Sequence, residues 1–177
     1  MTIDNDALAT LIAKEEIREL VLLYSRGVDR KDGELLRTLY TADATDTHGP
    51  SFDGGAGPYV DFLERSFPYM KYSGHHVCNH AISVKGNEGE GEVYALAYHY
   101  IPDGQGGFME DFMCVRYIDK YRKEEDGRWR FAKRTVTYDF AIRRPVTEAS
   151  VQHLPDPDKD PSIVELTHRL FQRGPRA

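Results

Sequence analysis

An α+β domain is the fold class the sequence predicts, and three observations predict it. Within residues 1–145, helical periodicity of apolar residues occupies the first part, up to about residue 67. A period-two alternation then takes over and runs to about residue 142. Each break between the alternating stretches carries glycine where a turn needs it. Helices first and long antiparallel strands after argue for two layers, with the helices covering one face of the sheet.

Each element follows from its spacing. Leu8, Leu11, Ile12, Ile17, Leu20, Val21, Tyr24 and Val28 recur near helical intervals and predict a helix from about Asn5 to Asp29, with Glu15, Glu16, Arg18 and Glu19 on its polar face. Asp32-Gly33 ends it, and a short helix over Glu34–Tyr40 follows. Thr41–Thr47 reads as a loop entering a short strand. Gly49-Pro50 and Gly54–Pro58 read as turns, with Pro58 suited to the first position of a third helix over Tyr59–Phe67. The predicted long strands are His75–Val84, Glu92–Ile101, Glu110–Arg122 and Arg128–Ile142. The domain is expected to span residues 1–145. Residues 146–177 form an extension in which a Pro/Asp-rich linker precedes a short helix capped by Ser162 and Glu165.

Composition narrows the function classes. The chain has 177 residues, enough for one domain with a sizeable core. Net charge is −6, from 23 basic and 29 acidic residues. The basic clusters lie in alternating strands and so spread over two faces, which argues against a nucleic-acid partner. No run of eighteen apolar residues and no basic-then-apolar leader is present, so neither a membrane span nor export is expected, and the cytoplasm is the expected compartment. Cys78 and Cys114 are read as buried, reduced thiols.

Several residues qualify as chemistry-bearing. Asp29 ends the first helix. Tyr24 precedes it by five residues, about 140° away around the axis, so the two share a pocket only if the helix ends or bends near Gly27. His75 and His76 are neighbours in a strand and point to opposite faces, so one lines a pocket and the other does not. His76 and His80 are read as sharing a face about 13 Å apart, too far for one ion, and no metal site is expected. His99 alternates with Val93, Ala95 and Ala97. Arg134 is read on one face with Ala132, Val136 and Tyr138, opposite Trp129, Phe131 and Lys133; an ion pair is its default role, and stabilising a developing anion is the alternative. A carboxylate and an imidazole are the minimum for proton abstraction, the carboxylate fixing the tautomer and the other nitrogen taking the proton. No nucleophile elbow, P-loop or dinucleotide fingerprint occurs.

Tyr24 and Asp29, the segment His75-His76-Val77-Cys78-Asn79-His80, and the stretch from Arg116 to Val136 with Asp126-Gly127-Arg128-Trp129-Arg130-Phe131 together resemble the SnoaL-like branch of the NTF2-like superfamily. The resemblance covers roughly residues 7 to 144. It implies a cone-shaped (cystatin-like) fold, three N-terminal helices on a curved, mostly antiparallel sheet around an apolar pocket. It implies that Asp29 and His75 are an acid–base dyad, with His76 the competitor, and that Tyr24 and Arg134 act beside them. By the same resemblance His48 enters the pocket and His99 lies near a second family histidine. Phe67, Met70 and Phe112 are candidates for an apolar substrate wall. The implied activity is a cofactor-independent, dehydratase-like lyase acting on an apolar, aromatic or alicyclic small molecule. An isomerase or a non-catalytic role, as a dioxygenase small subunit or ligand-binding module, are the alternatives. A homodimer or homotrimer is the expected assembly.

Overall fold

The computed structural model describes residues 4–147. By internal contacts the chain divides into Met1–Pro145 and Val146–Ala177; the helix expected in the extension lies outside the described residues.

Helix α1 spans Asn5–Asp29, as its periodicity predicts. Asp4 caps it, its carboxylate accepting from the N–H groups of Asp6 and Ala7 at 3.0 and 3.2 Å, which satisfies two of the orphan donors of the first turn. Its buried stripe is Ala13, Ile17, Leu20, Val21, Tyr24 and Val28. Burying each Val, Leu or Ile contributes roughly 1.5–3 kcal/mol. Leu8, Leu11 and Ile12 belong to the same apolar spacing yet are exposed. Spacing identifies an apolar stripe, but only the neighbouring elements decide how much of it is covered.

The helix does not break at Gly27. That glycine instead permits a close crossing with α2, Gly33–Thr38: a Cβ there would meet Leu36 Cδ2 at 2.8 Å. Leu36 is fully buried and has nowhere to move. Gly27→Ala is therefore expected to cost about 1–3 kcal/mol by overpacking, despite a helix-propensity gain of about 1 kcal/mol. Urea unfolding measures it, and a variant more stable than the parent would show that Leu36 gives way.

Helix α3 spans Ala56–Ser66 and starts two residues before Pro58; a 3-10 turn, Phe67–Tyr69, follows it. The strands are β1 Tyr40–His48, β2 Phe52–Gly55, β3 Tyr72–Lys85, β4 Glu88–Pro102, β5 Phe108–Lys123 and β6 Trp129–Val146. They form one open, six-stranded sheet in the order β2-β1-β6-β5-β4-β3. β3 pairs antiparallel with β4, β4 with β5 and β1 with β2, whereas β1 runs parallel to β6. β1 was read as a loop entering a short strand, and β2 as turns. β2 is short and rich in glycine, which hides its alternation, and the pairing of β1 with β6 is remote in sequence.

The sheet's inner face and the helices enclose the core. Two irregularities decide what reaches that face. The β3–β4 register shifts between Val77 and His80, a bulge that puts two residues of one strand opposite one of the other. Ser73, His75 and Val77 thus lie inward before it and His80, Ile82 and Val84 after it. In β6, Phe131 and Arg134 are both wholly buried although three residues apart, so the alternation slips there too. The expectations that His80 shares a face with His76, and Arg134 with Ala132, fail for this reason. No helix among the described residues is long and apolar enough to cross a membrane.

Candidate functional site

Asp29 stands at the last residue of α1 and faces the start of β3. Its carboxylate receives three hydrogen bonds. Ser73 Oγ donates to Oδ1 at 3.0 Å, the His75 backbone N–H to Oδ2 at 2.9 Å, and His75 Nδ1 lies 2.6 Å from Oδ1. A carboxylate only accepts, so Nδ1 carries the hydrogen and Nε2 is left with its lone pair. Burial pushes the Asp29 carboxyl up, but the His75 ring, the His75 N–H and Ser73 outweigh it and hold the group below its ordinary value. The carboxylate is thereby kept ionised and the imidazole oriented.

Strand alternation separates the two neighbouring histidines. His75 pairs with the buried Ala97 on the inner face, its side chain 7% exposed. His76 pairs with Leu96 on the outer face and is exposed. Phe112 also belongs to the outer face, opposite Tyr98, between the inward Asp111 and Met113. The readings of His76 and Phe112 as pocket residues do not match these placements. Cys78, read as buried, is exposed beside the bulge, and Cys114 is half-buried.

His99 faces inward, two residue pairs along the ladder from His75, its ring edge-on at 5.2 Å. Burial, and then the charge His75 would carry, lower its pKa to about 4, so it is a neutral imidazole at neutral pH. His48 lies at the end of β1, its Nδ1 3.1 Å from Asp46 Oδ1 and its ring stacked on Tyr59 at 5.0 Å.

Tyr24 and Arg134 are deeper than expected. The Tyr24 hydroxyl bonds to that of Tyr59 at 2.7 Å, and burial followed by the charge of Asp46 holds its phenol well above its ordinary value. The Arg134 guanidinium is wholly buried. Nε and Nη2 reach the two oxygens of Asp119 at 2.8 and 2.7 Å. The rings of Tyr24, Tyr117 and Phe131 surround it at 4.1, 4.3 and 4.1 Å. The default reading of Arg134, an ion pair, is the one this geometry matches, because Asp119 already neutralises the charge an anion would need. Asp119 also accepts from Tyr121, whose hydroxyl lies 3.1 Å from His80 Nε2. Periodicity had not marked Asp46, Asp119 or Tyr121, since an acid or tyrosine in alternation with charged residues reads as a solvated position.

Phe67 is part of the core. Met70 lines an open cleft of about 550 Å³ with Phe62, Ser66, Tyr69, Ile101 and Pro102. That cleft lies between α3 with its 3-10 turn and the β4–β5 turn, and neither Asp29 nor His75 lines it. Its position depends on shape alone, so hydrogen bonding is the better guide to the chemistry. No group of three or more His, Cys, Asp or Glu among the described residues is placed to hold a metal ion.

Burial also holds the His80 pKa at about 4. Both His80 and His99 are thus depressed below the value of about 6.5 expected in the unfolded chain. Between these values the unfolded state binds protons that the folded state refuses, so stability should fall as pH drops from about 6.5 to about 4. Asp29 acts in the same direction at lower pH: its contribution is present above its unfolded pKa and is lost as pH falls through the folded one. Urea midpoints across this range test the idea; a His80→Asn/His99→Asn variant with an undiminished slope would sink it.

The chain belongs to the SnoaL-like domain family, whose sequence model matches residues 9–135, and the fold is NTF2-like. Among solved structures it is similar to a candidate scytalone dehydratase from Novosphingobium aromaticivorans, with 22% identity, a TM-score of 0.68, and coverage of 77% of this chain and 91% of that one. It is also similar to hexachlorocyclohexane dehydrochlorinase LinA-type3 from Novosphingobium barchaimii, with 19% identity, a TM-score of 0.70, and coverage of 87% and 100%. At such identities the likeness concerns the fold. No curated protein matches the sequence.

Proposed function

We propose that the protein is a cofactor-independent lyase that removes a proton from an apolar, alicyclic or aromatic small molecule and expels a group from the neighbouring carbon. The observation that carries this reading is the 2.6 Å contact between Asp29 Oδ1 and His75 Nδ1 on the inner face of the sheet. His75 Nε2 is the base. Asp29 holds its tautomer and stabilises the imidazolium formed when the proton arrives. The resemblance to dehydratase and dehydrochlorinase folds supports the reaction class by analogy. The cleft at Met70 and Tyr69 is the proposed approach for the substrate's apolar part.

The test is turnover of cyclic ketones carrying a β-hydroxyl or β-halogen, read by mass. Elimination lowers the product mass; isomerisation, the alternative reaction, leaves it unchanged. A protein that neither eliminates nor exchanges α-hydrogens of these ketones in deuterated water is not this kind of enzyme. Self-association is proposed through the outer sheet face, where Tyr94, Leu96 and Ile118 are exposed.

A further inference from the structure

We propose that Asp46 and His48 form a second acid–base pair in the same interior, and that His48 donates a proton to the departing oxygen, so the group expelled is hydroxyl leaving as water rather than halide. The proposal rests on the reading of Asp29 and His75 as the base pair.

The geometry repeats that of the first pair on a different wall. Asp46 is wholly buried on the inner face of β1, in register with the buried Arg134 of β6. Its Oδ2 accepts from the Tyr40 hydroxyl at 2.9 Å and its Oδ1 lies 3.1 Å from His48 Nδ1. Since the carboxylate only accepts, Nδ1 carries the hydrogen and Nε2 is the atom free to exchange a proton. His48 is in register with the buried Val136 and stacks on Tyr59 of α3, so its ring lies between sheet and helix. The His48 side chain keeps 20% of its surface accessible, which leaves a path for a ligand. His99 lies 5.2 Å from His75 and is near enough to His48 to feel its charge as well. Tyr59 also links the two walls, through its hydroxyl bond to Tyr24 of α1.

The groups facing His48 are few. They are Asp46 on its own strand, Asp53 of β2 bonded to the adjacent Thr47, Tyr59 of α3, His99 of β4, and Arg134 and Tyr138 of β6. Asp53 is occupied by Thr47 and Arg134 by Asp119, leaving Asp46 as the carboxylate that pairs with His48.

The step balances without a co-reactant. His75 Nε2 takes the proton from carbon, and the C–H electron pair becomes the new π bond. The adjacent C–O bond breaks with its pair on oxygen, and that oxygen takes the proton of His48 Nε2 and leaves as water. The enzyme is left with a protonated His75 and a neutral His48, and exchange with solvent restores both. Chloride is a weak base and departs without a proton, so a built-in donor serves a hydroxyl and is superfluous for a halide.

The experiment compares 3-hydroxycyclohexanone with 3-chlorocyclohexanone, which give the same product, 2-cyclohexenone, by loss of water or of hydrogen chloride. In His48→Gln the ratio of water loss to chloride loss is expected to fall by about 10²–10⁴-fold, and the high-pH falling limb of kcat/KM for the hydroxyketone to disappear. In Asp46→Asn, which keeps an acceptor for Tyr40, the ratio should fall in the same direction, because the ring loses the carboxylate that fixes its tautomer. A merely structural role would scale both rates together and leave the limb in place; that result, or a wild-type protein that eliminates chloride but no water, overturns the proposal. Exchange of the α-hydrogens of either ketone with deuterated water, abolished by His75→Gln, reports on the base pair alone. Its absence in the wild type would bring down both readings, whereas its presence with an unmoved ratio brings down only this one.

Discussion

Asp29→Asn is expected to lower turnover of an eliminated substrate by roughly 10²–10⁴-fold, with little change in KM. The amide oxygen can still accept from Nδ1–H, so the ring stays near its place. What is lost is the charge that stabilises the imidazolium as the proton arrives, and the uniform acceptor character that fixes the tautomer. Three donors converge on this carboxylate, from Ser73, the His75 backbone and the His75 ring; an amide would turn its NH2 toward at least one of them. His75→Ala should remove the base itself and cost at least as much. His76→Ala is the control: exposed on the outer face opposite Leu96, it should retain activity within about twofold and stability within about 0.5 kcal/mol. Steady-state kinetics on the three variants decides the matter. A fully active Asp29→Asn with an unchanged pH profile would remove the proposed mechanism.

Arg134→Ala is expected to destabilise the fold by about 3–5 kcal/mol, because it strands the buried Asp119 carboxylate without its cation. It also removes the cation from between three aromatic rings, a contact worth up to about 2 kcal/mol where desolvated. Arg134→Lys should recover little: one ammonium cannot reproduce the two parallel bonds to Asp119. An Arg134→Met/Asp119→Leu pair should regain much of the loss, since replacing both members of a buried ion pair leaves no charge unmatched. Urea unfolding reads all three. If Arg134→Ala unfolds within about 1 kcal/mol of the parent while kcat collapses, the guanidinium is an anion holder and the structural reading is wrong.

These two residues mark where the sequence was legible. Asp29 could be located at a helix end by periodicity, and α1 ends there, but nothing local distinguished it from an ordinary surface acid. The family resemblance singled it out, and the bond to His75 is a contact across 46 positions of chain. Arg134 was misassigned to the company of Ala132 because a strict period of two was carried through an irregular strand. A single extra residue reverses the face of everything beyond it, as at Val77–His80. Bulges leave no reliable trace in composition. The Asp46–His48 pair was half visible: the resemblance directed His48 inward, but its segment read as a loop entering a short strand, which did not fix the face of an acid two residues away.

The sequence by itself determined the layer order, the extent of α1, the long strands and the rule that only one of two neighbouring histidines can face inward, because these follow from local spacing and from the opposite faces of consecutive strand residues. Only the tertiary structure decided which polar groups meet. Asp29 with His75, Asp46 with His48 and Tyr40, and Arg134 with Asp119 each depend on strand register, two bulged strands and the parallel pairing of β1 with β6. Hydrogen bonds act over about 3 Å. A shift of one residue in register moves a side chain by more than that, so the site belongs to the packing and not to any one segment.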